Sequence, residues 1–273
     1  MNNGILFIEM TKFIFYRILG NDIPLRHQKG QTFSNLRIIF EREQDFPDVE
    51  KHWIINRIVD PGQENRIISF LEKNTQKYHV IKFNARKFQN IPKDSFIERH
   101  DQLISLNHAR NLALQEGKRL GRWVLIFDGS CFFTSMAWQK IASACSKRGS
   151  FKYIIVPMLR IVSGTKGIPC EPQIIFRNDS REEFDINFRY GQNSKVELLY
   201  RLGVPGIWDQ WDGEQKVPTR ARRVKDFGAF ITAGHVWRLP SGNEGAEMNV
   251  SRREAHRKRG IVLLMNKIDN ISV

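Results

Sequence analysis

Residues 122–130 read RWVLIFDGS. Trp123 to Phe127 are consecutive, large and apolar, with no polar residue alternating among them. Such a run is too short for a helix and suits a strand buried on both faces. It ends abruptly in an acid and a glycine. A doubly buried strand belongs inside a largely parallel sheet covered by helices, and ligands of such sheets bind beyond the carboxyl ends of the strands. Asp128 is therefore expected at a binding rim.

Upstream of this strand, Leu106, Ala109, Leu112 and Ala113 recur at helical spacing, predicting a helix over 105–120. Further upstream, strand-like runs at 13–20 (FIFYRILG), 52–59 (HWIINRIV) and 78–83 (YHVIKF) alternate with helical patterns at 32–42 and 65–74. The Asn21-Asp22-Ile23-Pro24 turn closes the first strand and Asp60-Pro61-Gly62 breaks the second, while 84–100 reads as a loop. Asp22, Asp60 and Asp128 would then share one rim. Downstream, strands are expected at 153–161, 172–177 and 227–234, and a helix at 195–202. The expected fold class is α/β, a mixed and mostly parallel sheet with helices on both faces. A single domain over 1–273 would comprise a first half (12–130), a second half (131–240) and a basic C-terminal segment (241–273).

A chain of 273 residues can bury a large core without staples. No apolar run approaches the roughly 20 residues that span a bilayer. The opening MNNGILFIEMTKFIF carries Glu9 and reads as a buried strand rather than a secretion signal. Cys131, Cys145 and Cys170 match neither a disulfide framework nor a zinc knuckle, so a cytoplasmic setting is expected. The formal charge of +14 concentrates at Arg220, Arg222, Arg223 and Lys225, and again at Arg252, Arg253, Arg257, Lys258 and Arg259. These clusters suit a phosphate-bearing ligand, an acidic polysaccharide, an anionic membrane surface bound peripherally, or nucleic acid. They equally suit a solvated surface with no partner. No aromatic residue interleaves the second cluster, which disfavours a single-strand platform.

At the strand end, Asp128 can ligate a hard divalent cation bridging two phosphates, or simply cap the helix opening at Thr134 or Ser135. Eighteen residues before it lies Arg110, within NHARNLAL (107–114). In this order and spacing, the helix segment and strand resemble the GT-A superfamily of nucleotide-sugar glycosyltransferases, as does the later YGQNSKVELLYRLG (190–203). In that superfamily an Ala-Arg-Asn helix precedes a strand ending in Asp-x-Asp. Ala109-Arg110-Asn111 and Asp128-Gly129-Ser130 occupy those positions here, with serine in place of the second acid. The segments YRILGNDIPLRH (16–27), PQIIFR (172–177) and GVPGIWDQW (203–211) are also similar to a group of uncharacterised bacterial glycosyltransferase-like proteins.

The resemblance implies a GT-A-like fold and transfer from a nucleoside-diphosphate sugar, such as a UDP-sugar, to a carbohydrate or lipid-linked acceptor. It places Arg17, Gly20, Asn21, Asp22, Arg57, Arg110, Asn111 and Asp128 on the nucleotide-sugar. Asp128 and His235 would hold Mn2+ or Mg2+, with affinity weakened by Ser130. Glu197 is the expected base of an inverting transfer, with Asp185, Asp209 and Asp212 as alternatives. Trp208 and Asp209 would meet the acceptor. Glu171 and Gln173 could also face it. Two other readings remain open. One is a nucleotidyltransferase, disfavoured because Arg17 to Arg26 contains only Gly20. The other is a degenerate GT-A domain or basic nucleic-acid-binding protein without transferase activity.

Overall fold

The computed structural model describes residues 12–147, 149–161, 167–210, 224–243 and 250–270. Among them, nine strands form one sheet. The first strand, β1 (Phe13–Leu19), lies parallel between β2 (Val49–Asn56) and β4 (Trp123–Asp128), and β3 (Lys77–Ile81) continues the parallel order beyond β2. Beyond β4 the direction reverses. There β7 (Ile168–Arg177) runs antiparallel between β4 and β6 (Tyr153–Arg160). Two short strands, β8 (Phe230–Thr232) and β9 (Val236–Arg238), pair parallel to β6, and β5 (Cys131–Phe132) closes on β9. The sheet is mixed and mostly parallel, as the apolar runs implied.

Alternation along β1 shows why both faces need helices. Phe13 and Phe15 join Trp138 and Ile141 of α6 (Ser135–Ser146) on one face. Ile14, Tyr16 and Ile18 join Ala109, Ala113 and Leu114 of α5 (Leu106–Leu120), with Leu198 and Leu199 of α7 (Ser194–Arg201), on the other. Leu19, Trp53 and Ile55 pack with Leu36 and Ile39 of α1 (Gln31–Arg42) and Ile67 and Leu71 of α2 (Pro61–Lys73). These side chains are excluded from water almost completely, and their burial is the main term holding the sheet.

Several elements differ from expectation for local reasons. Strand β2 stops at Asn56 because Arg57 takes a left-handed φ of 52°. The Asp60-Pro61-Gly62 stretch starts α2 rather than merely breaking a strand. Asp60 Oδ1 accepts from the backbone N–H of Gly62 (2.9 Å) and of Gln63 (3.3 Å), and Pro61 sits where a missing N–H costs nothing. The expected loop at 84–100 contains α3 (Ala85–Gln89) and the start of α4 (Phe96–Leu103). The expected strand 227–234 shortens to β8, with β9 following it.

The basic C-terminal segment contains a helix, α8 (Val250–Asp269). Ile261, Leu264, Met265 and Ile268 join Phe88 of α3 and Leu103 of α4 in a separate apolar cluster. Gly260 permits this docking, since a Cβ there would lie 2.1 Å from the Pro24 carbonyl oxygen. No described helix is long and apolar enough to cross a membrane.

Candidate active site

The strands β1, β2 and β4 and the returning β7 open onto a cleft of about 480 Å³. Sheet order lays out its wall. Gly20 and Asn21 leave β1, Thr32 and Asn35 come from α1, and Asn56 ends β2. Asp128, Gly129 and Ser130 stand at the centre, and Glu171 of β7 lies beyond them. From β2 to β7 is three strand spacings, or about 14 Å. Gly129 is required at this crossing: a Cβ would sit 2.6 Å from the Ile18 carbonyl oxygen.

Asp128 is held from two sides. Its Oδ1 accepts from Arg110 Nη2 at 3.0 Å, and its Oδ2 accepts from Lys195 Nζ at 3.0 Å. Gln173 approaches the same Oδ2 at 3.4 Å. Burial alone would push the carboxyl up, but Lys195, Arg110 and Arg238 outweigh it and hold it well below the usual carboxylate range. Asp128 is therefore an ionised, fixed anion at neutral pH. Arg110 is itself set by Asn107 Oδ1 (3.1 Å) and Ser194 Oγ (3.0 Å), so α5, β4 and the start of α7 are joined at this point.

Helix α7 delivers Lys195 and not Glu197. Residues two apart on a helix are 200° apart around its axis, so when one faces the cleft the other faces away. Lys195 lines the cleft and also lies 3.4 Å from Glu171. Glu197 is 1% exposed and lies outside the cleft, bonded by Arg201 Nε at 2.7 Å. The expected base is thus a core ion pair. Of the expected alternatives, Asp185 lies outside the cleft lining and caps its own turn through Asn187, while Asp212 lies outside the described residues. Glu171 does line the cleft. Burial raises its carboxyl, but Lys195 and Arg238 bring it below its ordinary value, so it too is ionised.

The cleft gathers Gly20, Asn21, Arg110, Asp128, Glu171 and Trp208 of the expected residues. It does not gather the others. Arg17 is inside the core, ion-paired with Glu43 and donating from Nε to the Cys131 carbonyl at 2.9 Å. Asp22 accepts from the N–H groups of Gly30 (2.7 Å) and Thr32 (2.8 Å), setting the start of α1. Arg57 turns to the carbonyls of Asp101 and Gln102, each 2.8 Å away. Asn111 exchanges two hydrogen bonds with the Phe184 backbone. His235 precedes β9 and packs edge-on to Trp237, and Asp209 is exposed and accepts from the Gly206 N–H. Trp211, Arg220, Arg222 and Arg223 lie outside the described residues.

The structure adds Arg26, Arg160 and Arg238, which no pattern singled out, and brings two arginines of the expected basic C-terminal cluster to the cleft. Arg26 follows the first turn, Arg160 ends β6, Arg238 ends β9, and Arg253 and Arg257 project from α8. Arg160 is 9% exposed, and its guanidinium is pulled down to about 10, first by burial and then by Arg238, Arg253 and Arg26. His27 beside them falls to about 3, from burial and the same positive field, and is neutral. Asn56 is buried, donates to the Ile104 carbonyl, and its Oδ1 accepts from no described residue while lining the cleft.

These donors fit a divalent cation poorly. Metal ions of the Mg2+ or Mn2+ type need oxygen ligands free to coordinate. Both Asp128 oxygens already accept from cations, Ser130 offers a neutral hydroxyl, and His235 is not in the cleft lining. A different group could hold a metal ion: His52 of β2, His79 of β3 and Glu116 of α5 bring ligand atoms within 4.8 Å of one another. His52 precedes Asn56 by four residues, placing this group about 13 Å back along the strand from the cleft.

No protein-family model matches the chain. No curated protein matches it either. Solved structures do. S. aureus TarS is 13% identical with a TM-score of 0.40, covering 66% of this chain and 31% of its own. The mannosyltransferase PcManGT from Pyrobaculum calidifontis, in complex with GDP-Man and Mn2+, is 11% identical with a TM-score of 0.38, covering 68% and 50%. The inositol-1-phosphate CTP transferase from T. maritima is 8% identical with a TM-score of 0.39, covering 96% and 98%. The chain spans about a third of the first and half of the second. Likenesses this distant include both sugar and nucleotidyl transferases, and what this chain does rests on its cleft.

Proposed function

We propose that the chain is a glycosyltransferase of the GT-A type, moving a sugar from a nucleoside-diphosphate sugar to a hydroxyl of a carbohydrate or lipid-linked acceptor. The observation that carries this reading is the order of groups across the cleft. A buried amide oxygen without a described partner, on Asn56, stands on the β2 side, where the edge N–H of a nucleobase would satisfy it. The cations Arg110, Lys195 and Arg238 stand in the middle, suited to a diphosphate. Glu171 of β7 stands on the far side, offering a carboxylate to the acceptor, and Trp208 also lines the cleft, an aromatic residue suited to a sugar. The sequence 20–31 holds Gly20 and Gly30 only, too few for the Gly-rich triphosphate loop of a nucleotidyltransferase.

In this reading the acceptor hydroxyl oxygen attacks the anomeric carbon. The bond from that carbon to the diphosphate oxygen breaks, and its electron pair leaves with the diphosphate. Glu171 takes the hydroxyl proton, the role expected of Glu197. One displacement inverts the anomeric centre. Asp128 serves as an anchor, fixing Lys195 and Arg110 where the phosphates arrive.

Thermal shift against a panel of nucleotides and nucleotide-sugars tests the donor site. A ligand bound only to the folded state raises the melting point in step with RT ln(1 + [L]/Kd). One nucleoside diphosphate and its sugar conjugate should do so, and release of that diphosphate should follow on adding acceptor. No shift from any member would remove the reading. Binding without release for any acceptor would favour a degenerate, binding-only domain.

A further inference from the structure

Cations outnumber carboxylates among the described residues that line the cleft. Among the described residues, seven arginines and lysines line it against three carboxylates. Two of those carboxylates, Asp128 and Glu171, are already committed to Lys195 at 3.0 and 3.4 Å. Arg238 has a buried Nε that donates to no described residue. Among the described residues Arg160 donates to the Ser241 hydroxyl, at 3.4 Å, and the field of Arg238, Arg253 and Arg26 acts on it. Buried positive charges in mutual proximity repel one another, and an anion that joins them relieves the repulsion. A diphosphate is such an anion, and the guanidinium fork matches its oxygens in pairs.

The same position is where a divalent ion would otherwise neutralise a departing diphosphate. Here the carboxylate that would hold the ion is occupied on both oxygens by cations. A metal entering would have to displace the Lys195 ammonium or lie against it. Fixed, water-excluded cations can stabilise the charge that develops on a leaving group without any metal, provided they are held in place beforehand. Lys195 is held by Asp128 and Glu171, and Arg238 by the β6–β9 pairing.

We propose that the leaving diphosphate is neutralised by this fixed cluster, with Lys195 and Arg110 bonded to Asp128, Arg238 beside them and Arg160 beyond, and that sugar transfer by this chain needs no divalent metal. The inference rests on the nucleotide-sugar reading above. As the anomeric C–O bond breaks, the electron pair enters the diphosphate and is met by ammonium and guanidinium groups in place of Mn2+. The proton balance is unchanged, since Glu171 takes the acceptor proton.

Calorimetric titration with inorganic pyrophosphate and with UDP, GDP, ADP, CDP and dTDP tests this, on the full chain stripped of metal. Each titration is run in excess EDTA and again with Mn2+. The expected result is that pyrophosphate and one nucleoside diphosphate bind in EDTA with an affinity within about threefold of that in Mn2+. Arg238→Met should weaken both by about tenfold or more, and Arg238→Lys should recover part of the loss. Circular dichroism and melting of each variant separate lost binding from lost folding, and Arg160→Met supplies a second variant on another strand. The manganese series is repeated in His79→Ala, so that ion held at His52, His79 and Glu116 is not counted. A nucleoside diphosphate that binds only with Mn2+ would overturn this inference and leave the transferase reading standing. No nucleoside diphosphate binding in either buffer would overturn both.

Discussion

Replacing Arg17 by methionine is expected to damage the fold and spare the ligand. Arg17 and Glu43 are each 1% exposed and are paired to one another in the core. Arg17 also donates to the Cys131 carbonyl, and its guanidinium lies 3.9 Å from the centre of the Phe15 ring. Glu43 accepts from the Phe133 N–H at 3.0 Å and has Lys51 at 3.4 Å. Arg17→Met leaves a buried carboxylate with one distant cation, a change that costs about 3–5 kcal/mol. Unfolding entropy of about 2.1 cal/mol/K per residue, taken over 273 residues, converts this to a fall of about 5–9 °C in melting temperature. Adding Glu43→Leu removes the stranded charge and should restore roughly half of the loss. The Phe133 N–H then stays unpaired, so about 1–3 kcal/mol should remain. Differential scanning calorimetry of the two variants reads both numbers. Titration of the folded single variant with the nucleotide found by thermal shift should return the parent Kd. An unchanged melting point with weakened nucleotide binding would refute the argument and return Arg17 to the ligand, where the sequence alone had put it.

Three further outcomes follow from the geometry. Glu171→Gln should lower kcat by about 10²–10⁴-fold while leaving donor affinity near its parent value, and Glu197→Gln should lower the melting point but retain turnover in the folded enzyme; steady-state kinetics beside melting curves separates the two. Glu50 is held at about 2, below its usual 4.5, by hydrogen bonds from Lys12 and Lys77, so its folded pKa is depressed. The stability it contributes is complete above pH 4.5 and disappears as pH falls toward 2, so Glu50→Gln should flatten that part of a denaturant-midpoint profile and leave the neutral region parallel to the parent. Gly129→Ala would put a methyl 2.6 Å from the Ile18 carbonyl oxygen and 2.8 Å from Leu19 Cδ2. Such overpacking costs about 1–3 kcal/mol, and because it moves Asp128 it should weaken nucleotide binding as well, a paired loss that calorimetry would detect.

The parallel half of the sheet was legible because β1 and β4 are apolar runs of the right length and β2 ends in one. The centre of the cleft was legible too: Asp128 ends the most apolar run, and Arg110 stands in the helix before it. What was missed depends on direction. Glu197 drew attention as an acid near a helix start, yet the residue two places earlier faces the cleft, and only the helix phase tells them apart. His235 and Arg238 share one segment, and strand register settles that Arg238 lines the cleft. Asp60-Pro61 could have been read as a cap followed by a first-turn proline. In α8 a stripe at 261, 264, 265 and 268 has helical spacing, but the surrounding charges concealed it. Arg26 and Arg160 carried no signal in the sequence, since a single arginine after a turn or at a strand end looks like any solvated one.

The docking of α8 on Gly260 and its apolar stripe has an energetic consequence for the ligand. Arg253 and Arg257 reach the cleft only while that helix is seated. Helix seating and anion binding are then linked equilibria, and linkage is reciprocal: whatever affinity the seated helix adds to the anion, the anion returns as protection of the helix. Amides of 250–269 should therefore exchange more slowly with deuterium when the cleft is filled, by the same factor that unseating the helix weakens the ligand. In the proposed reading α8 is a clasp that the bound diphosphate would tighten.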